Sequence, residues 1–106
     1  MANQSQAKRF LQSIGLHPTS IGQNDDNYVS FKLSRDSQES DVVNAISEAL
    51  KRSGTKRTRD YGPQIHRMNV TLQWVWDVPS KGVIVFYPYT MKVGFANKVD
   101  DIPMDV

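Results

Sequence analysis

The feature that most constrains this chain is a long alternation of residue types between His66 and Val78. Every second position on one side of it holds an apolar side chain or histidine: His66, Met68, Val70, Leu72, Trp74, Trp76 and Val78. The positions between them are polar except Val75, and a period of two points alternate side chains to opposite faces of a β-strand. One apolar face must be buried, so we expect a sheet with a covering layer, and Trp74 and Trp76 in the core.

A second apolar strand follows after a short turn. Val83 to Tyr89 is apolar at almost every position, and Pro79 and Gly82 before it favour a reversal of the chain, so the two strands are predicted to form a hairpin. Pro88 cannot donate a ladder hydrogen bond, which places it at a sheet edge, at a bulge or outside the ladder. The second strand is predicted to extend through Met91, Val93 and Phe95.

Two helices are predicted before the hairpin. The first begins at a cap formed by Asn3 or Ser5 and ends at Gly15, because apolar residues recur at helical spacing in Ala7, Phe10, Leu11 and Ile14. The second runs from about Asp41 to Arg52 with Ser40 as its N-cap, since its apolar residues form one stripe along a helix.

A third strand is predicted between the two helices. Tyr28 to Leu33 alternates apolar and polar residues. Residues 17–27 before it are rich in turn-forming residues and are predicted to be a loop. The predicted fold is therefore α+β, a small and mainly antiparallel sheet in the order α-β-α-β-β with two helices covering one face.

Length and composition favour one small domain. The chain has 106 residues, of which 39% are hydrophobic and 23% charged, values that suit a single folded core. Residues 1–98 are assigned to this domain. Residues 99–106 are assigned as an acidic tail, because they contain Asp100, Asp101 and Asp105 and little apolar surface.

Several functional classes are not favoured. The chain has no cysteine, which excludes disulfides and thiolate chemistry. No apolar run is long enough to span a membrane and no secretion signal is visible at the N-terminus, so an intracellular location is expected, in a host cell if the protein is viral. His17 and His66 lie near no catalytic pattern, and the paired aspartates Asp25-Asp26 and Asp100-Asp101 lack calcium-loop spacing. We expect a protein without catalytic activity, cofactor, metal or small-molecule substrate.

A basic segment carries the main functional hypothesis. The formal net charge is only +2, but it is unevenly distributed, since one acidic residue, Asp60, stands among six cations: Lys51, Arg52, Lys56, Arg57, Arg59 and Arg67. The part from Ser53 to Pro63 is predicted to be an exposed, mobile loop. Cations in such a loop can contact phosphates, and Tyr61 beside them can stack on a base, so binding of RNA or single-stranded DNA is predicted. The simpler interpretation is a solvated loop that promotes solubility.

The apolar hairpin carries the alternative hypothesis. Val83 to Tyr89 is apolar on both faces, and a small domain has limited material to cover both. A homodimer, a larger homo-oligomer or a partner protein would bury the uncovered face. The protein would then be an assembly module, or an accessory or inhibitor protein of the kind that viruses and phages encode. The expected interface residues are Val83, Val85, Tyr87 and Tyr89. The competing interpretation is that the helices and the first strand cover the hairpin.

Overall fold

The computed structural model describes residues 2–61 and 68–103, with backbone alone for residues 59–61 and 68–70. Two α-helices, six strands and one 3₁₀-helix follow one another along this part of the chain. In order they are α1 (Gln4–Ser13), β1 (Pro18–Asn24), β2 (Tyr28–Leu33), α2 (Glu39–Leu50), β3 (Thr55–Tyr61), β4 (Met68–Val78), β5 (Gly82–Tyr87), β6 (Lys92–Ala96) and the 3₁₀-helix Val99–Asp101.

The described strands form one antiparallel sheet in the order β1-β2-β6-β5-β4-β3. The α+β class and the antiparallel sheet are therefore confirmed, as is the β4–β5 hairpin. The predicted element order is wrong because it lacks three strands. β1 lies within the predicted loop 17–27, β3 lies within the predicted basic loop, and β6 is a separate strand rather than an extension of β5.

The two strands that look like loops in the sequence are the two edges of the sheet. All of β1 except Pro18 is exposed, and in β3 the residues from Thr55 to Thr58 are exposed. A strand whose side chains are exposed on both faces of the sheet has no apolar alternation from which it can be recognised. Polar and turn-forming residues therefore suit these edges as well as they suit a loop.

On what we call the first face of the sheet, the buried side chains of β2, β4, β5 and β6 form one cluster with the buried side chains of both helices. The helices contribute Ala7, Leu11, Val42 and Ile46. The strands contribute Val29, Phe31, Leu33, Trp76, Ile84, Phe86, Val93 and Phe95. Trp76 is fully buried and donates from Nε1 to Ser47 Oγ at 3.1 Å, whereas Trp74 is half-buried at the margin.

The opposite face, the second face, has a smaller core of its own. It comprises Tyr28, Val75, Val83, Val85, Tyr87, Ala96 and Ile102. Val75 interrupts the apolar-polar alternation of β4 because it points to this face, which is also buried. Ile102, from the predicted tail, is 7% exposed. The described part of the tail therefore packs on the sheet.

The helix ends follow the predicted signals in part. Asn3 caps α1, accepting the Gln6 N–H on its side-chain oxygen at 2.9 Å. The predicted Ser40 cap of α2 is wrong, since the helix begins at Glu39 after Gln38. Ser40 therefore lies in the first turn. The helix stops at Leu50, because Lys51 adopts a left-handed conformation with φ 52°. Pro88 lies outside the ladder, as β5 ends at Tyr87.

Candidate nucleic-acid interface

Antiparallel register brings five polar residues from five strands into one line across the second face. Arg57 of β3 pairs with Gln73 of β4, Tyr87 of β5 pairs with Lys92 of β6, and Lys92 pairs with Lys32 of β2. The Trp74–Phe86 pair sets the register that places Gln73 beside Tyr87. We call this line the basic row: Arg57, Gln73, Tyr87, Lys92 and Lys32.

The neighbouring lines on the same face are mostly apolar or small. The next one runs through Thr55, Val75, Val85, Gly94 and Ser30. The one beyond it runs through Asp77, Val83, Ala96 and Tyr28. The second face thus has cations at one end of its strands and the carboxylate of Asp77 at the other. An anionic ligand would be attracted to the end that carries the basic row.

Arg57 is held in place at the β3 end of this row. Its Nη1 donates to the side-chain oxygen of Gln73 at 2.7 Å, and Gln73 is 2% exposed. A charge-assisted hydrogen bond to a buried amide restricts the guanidinium to one orientation. Arg57 itself is exposed, and a guanidinium has five N–H donors. The group is therefore fixed, yet it retains donors that can reach a ligand.

Tyr87 occupies the centre of the row and anchors the C-terminal segment. Its hydroxyl donates to the Pro103 carbonyl at 2.6 Å. Burial raises the pKa of the Tyr87 phenol far above its ordinary value; nearby Tyr28 raises it further and Arg57 opposes the rise. Tyr87 is therefore a neutral donor at physiological pH. Gly94 allows Tyr28 to lie here, since a Cβ at position 94 would collide with the Tyr28 ring and hydroxyl.

The other end of the row is a cationic groove. Lys32 and Lys92 are directly opposite each other on β2 and β6. A groove of about 470 Å³ opens beside them, and its lining includes Arg35 and the β5–β6 turn with Tyr89. Tyr89 is 91% exposed. Three cations and one exposed aromatic ring therefore share one groove, which we call the Tyr89 groove.

The predicted basic segment is divided by strand geometry. Lys56 lies over the Trp74 ring on the first face, with Nζ 5.6 Å from the ring centroid, whereas Arg57 lies on the second face. Lys51 is exposed after α2, and Arg52 donates from Nη1 to the Asp77 carbonyl at 3.0 Å. The prediction of a mobile loop is wrong here, because these cations flank or belong to a paired strand.

Three further predicted residues lie wholly or partly outside the described part of the chain. Arg59 and Tyr61 belong to β3, where they pair with Val70 and Met68, and their side chains are not described. Arg67 lies outside the described residues. Their predicted contacts with nucleic acid stay predictions.

The predicted hairpin interface is mostly covered by the chain itself. Val83 is 4% exposed, Val85 0% and Tyr87 3%, while Tyr89 is exposed. The C-terminal segment contributes to this cover through Ile102 and Pro103. A docked partner would reach Tyr89 directly, but it would have to displace that segment to reach the other three.

Sequence reasoning missed three cations of the site, Lys32, Arg35 and Lys92. Lys32 occupies a polar position in the alternation of β2, and Lys92 stands between two apolar residues. Each signal indicates a side chain that points away from the first face. Nothing in the sequence shows that the two lysines are neighbours, because their pairing depends on the strand order β2-β6-β5.

Other kinds of site find little support in the described residues. No cluster of three or more potential metal ligands occurs in them. None of their helices combines the length and apolar character needed to cross a membrane. A groove of about 560 Å³ between α1 and the β4–β5 turn includes Phe10 and Phe95 and one cation, Lys81. Comparison with protein-family models, curated proteins and solved structures finds no match.

Proposed function

We propose that this is a non-enzymatic nucleic-acid-binding protein that engages RNA or single-stranded DNA along the free edge of β3. The observation that carries the proposal is the position of the basic segment. β3 is an edge strand, and Lys56 and Arg57 are exposed on opposite sides of that edge. A phosphate backbone that follows the edge would meet cations on both sides.

The edge also supplies neutral donors. Among the described strands, β3 has β4 as its one neighbour, so its outward N–H groups point away from that ladder. Backbone N–H groups and hydroxyls bind phosphate oxygens and position a nucleic acid without reading its sequence. Thr55 and Thr58 are exposed beside the cations. The proposed contacts are therefore charge-assisted at Lys56 and Arg57 and neutral along the backbone between them.

The hairpin shape makes this edge accessible. β3 pairs with β4 from Met68 to Val75, whereas β5 pairs with β4 only from Trp74 to Val78. The outer half of the β3–β4 hairpin therefore extends past β5 as a two-stranded arm. Lys56 and Arg57 lie at its base, where they pair with Trp74 and Gln73, and Arg59 belongs to it by sequence. Arg52 contacts Asp77, toward the other end of β4. A projecting basic arm can contact a flexible strand from more than one side.

The test is direct binding with a charge-matched control. The protein would be titrated with labelled oligouridylate, oligothymidylate and a DNA duplex over a salt series. The double variant Lys56→Gln, Arg57→Gln should bind more weakly, and the slope of log K against log salt should become shallower by about 0.7 for each lost phosphate contact. The control is Lys8→Gln, Arg9→Gln, which removes the same charge from exposed positions of α1.

Equal weakening by both double variants would show a nonspecific charge effect and overturn the β3 site. No binding by the wild type at low salt would overturn the function. Preference for the duplex would contradict the single-strand assignment. Light scattering on the same samples addresses the alternative of a homo-oligomer built on the hairpin. A stable oligomer that neither double variant changes, together with absent nucleic-acid binding, would favour that alternative.

A further inference from the structure

We infer that the Tyr89 groove is a second contact site for the same single strand, in which a phosphate binds between Lys32 and Lys92 and a base stacks on Tyr89. The inference rests on the proposed function, because it names a separate groove where the ligand is held. It differs from the β3 edge in its residues and in its chemistry, since it adds an aromatic ring.

Like charges face each other in the groove. Directly opposed residues of an antiparallel pair have Cβ atoms about 5 Å apart, and like charges at that position are destabilising. Lys32 and Lys92 are such a pair. Their other cross-strand neighbours are Ser20 and Tyr87, which are uncharged. Neither of these described cross-strand neighbours offsets the repulsion, and a phosphate between the two ammonium groups would remove it.

Tyr89 is an exposed part of the groove lining. Its side chain is 91% exposed, although Tyr28 and Tyr87 of the neighbouring strands are almost fully buried. It lies in the turn after Pro88, near Met91, which has φ 55°. A flat aromatic ring that packs on little of its own chain is the surface on which unpaired bases stack. Phosphate and base alternate along a single strand, so Lys92 and Tyr89 match two successive parts of one ligand.

The groove and β3 lie at opposite ends of the basic row. The basic row crosses five strands, so Arg57 and Lys32 are about 19 Å apart at the usual strand spacing of 4.8 Å. Pro103 is bound to Tyr87 between them. A single strand that leaves the β3 edge at Arg57 would cross this segment and reach Lys92. The ligand would therefore contact the two ends of the row, Arg57 and the Lys32–Lys92 pair, because Gln73 and Tyr87 between them are buried.

Lys92→Glu separates a binding role from a structural one. It places a carboxylate opposite Lys32, so the Tm should be equal to or a few degrees above that of the wild type. Binding of oligouridylate at low salt should weaken about tenfold or more. If Lys92 had only a structural role, the substitution would lower the Tm and the affinity for oligouridylate together. Full binding by a stable Lys92→Glu variant would overturn the phosphate site.

Tyr89→Ser tests the stacking contact. Binding of oligouridylate should weaken about tenfold, and Tyr89→Phe, which keeps the ring, should bind like the wild type. Inorganic polyphosphate has no bases, so the affinity of Tyr89→Ser for it should equal that of the wild type. The affinity of Lys92→Glu for polyphosphate should be lower. Loss of polyphosphate binding in Tyr89→Ser would overturn the assignment of Tyr89 to a base.

The two proposals fail in different ways. If the β3 double variant loses binding and both groove variants keep it, the groove inference is wrong and the proposed function stands. If the wild type binds neither oligonucleotide, the proposed function is wrong and the groove inference falls with it. Wild-type binding to anionic phospholipid vesicles, lost in Lys92→Glu without any nucleic-acid binding, would assign the groove to a membrane surface and overturn the inference.

Discussion

The two faces of the sheet are built from the same strands but are covered by different parts of the chain. The first face buries large apolar side chains, among them Trp76 and Phe86, in one cluster with both helices. The second face has a smaller core, and a short C-terminal segment contributes to it through Ile102. Beyond that core the second face presents cations in register, whereas Lys56 on the first face is held over Trp74.

The difference indicates a division of tasks between the faces. Close packing of large apolar groups supplies most of the stability of a small domain. On the second face two lysines oppose each other directly, and in the turn beside them Tyr89 is exposed to solvent. Stability alone does not favour these arrangements. Groups that break local rules of stability are expected at functional sites.

The largest effect is expected from Trp76→Ala on the first face. The side chain is fully buried and hydrogen-bonded to Ser47, so its removal should lower the free energy of unfolding by about 3–5 kcal/mol. Chemical denaturation followed by circular dichroism measures this. Ile21→Ala is the control, because Ile21 is 46% exposed, and it should change stability by less than about 0.5 kcal/mol. Similar values for both would contradict the location of the core.

A smaller effect is expected from Ile102→Ala on the second face. Ile102 is almost buried but comes from a short segment near the end of the described chain, so we expect a loss of about 2 kcal/mol. Hydrogen exchange of the Val83 and Val85 amides should also become faster, because their cover is loosened. Val99→Ala, at a position 47% exposed, should leave both measurements near the wild type. An unchanged Ile102→Ala variant would show that the segment does not seal this face.

The smallest effect is expected from Tyr87→Phe. It removes the 2.6 Å hydrogen bond to the Pro103 carbonyl, which should lower stability by about 1 kcal/mol at neutral pH. The pKa of Tyr87 is raised above its ordinary value of 10.0, so above that pH the unfolded chain releases a proton that the folded chain keeps. Stability therefore falls as the pH rises beyond this point. Tyr87→Phe should show a shallower alkaline decline, and an unchanged decline would contradict the burial of the phenol.

Much of the first face could be predicted from sequence, because a strand or helix that is buried on one side has apolar residues at a regular spacing. Strand β2 has its predicted bounds, and β4 and β5 form the predicted hairpin. The interior of α2 also matches its apolar stripe, although its first residue differs, since Glu39 rather than Asp41 begins the helix. Periodicity reports which side chains are buried, and these elements are buried on a recognisable side.

The edge strands and the candidate site could not be predicted in the same way. β1 and β3 have solvent around most of their described side chains, so no period marks them. The Lys32–Lys92 pair joins residues that are far apart in the chain, and only the strand order makes them neighbours. The basic segment was visible as charge, but its division into Lys56 on one face and Arg57 on the other follows from β3 being a strand.

The most direct test of the division between the faces is an NMR titration of the isotope-labelled protein with oligouridylate at low salt. The amides of Lys32, Arg57, Tyr89 and Lys92 should shift progressively with added ligand. Those of Leu11, Ile46 and Trp76, which lie in the first-face core, should stay unchanged. Shifts concentrated on α1 and α2, with the basic row unaffected, would contradict the account.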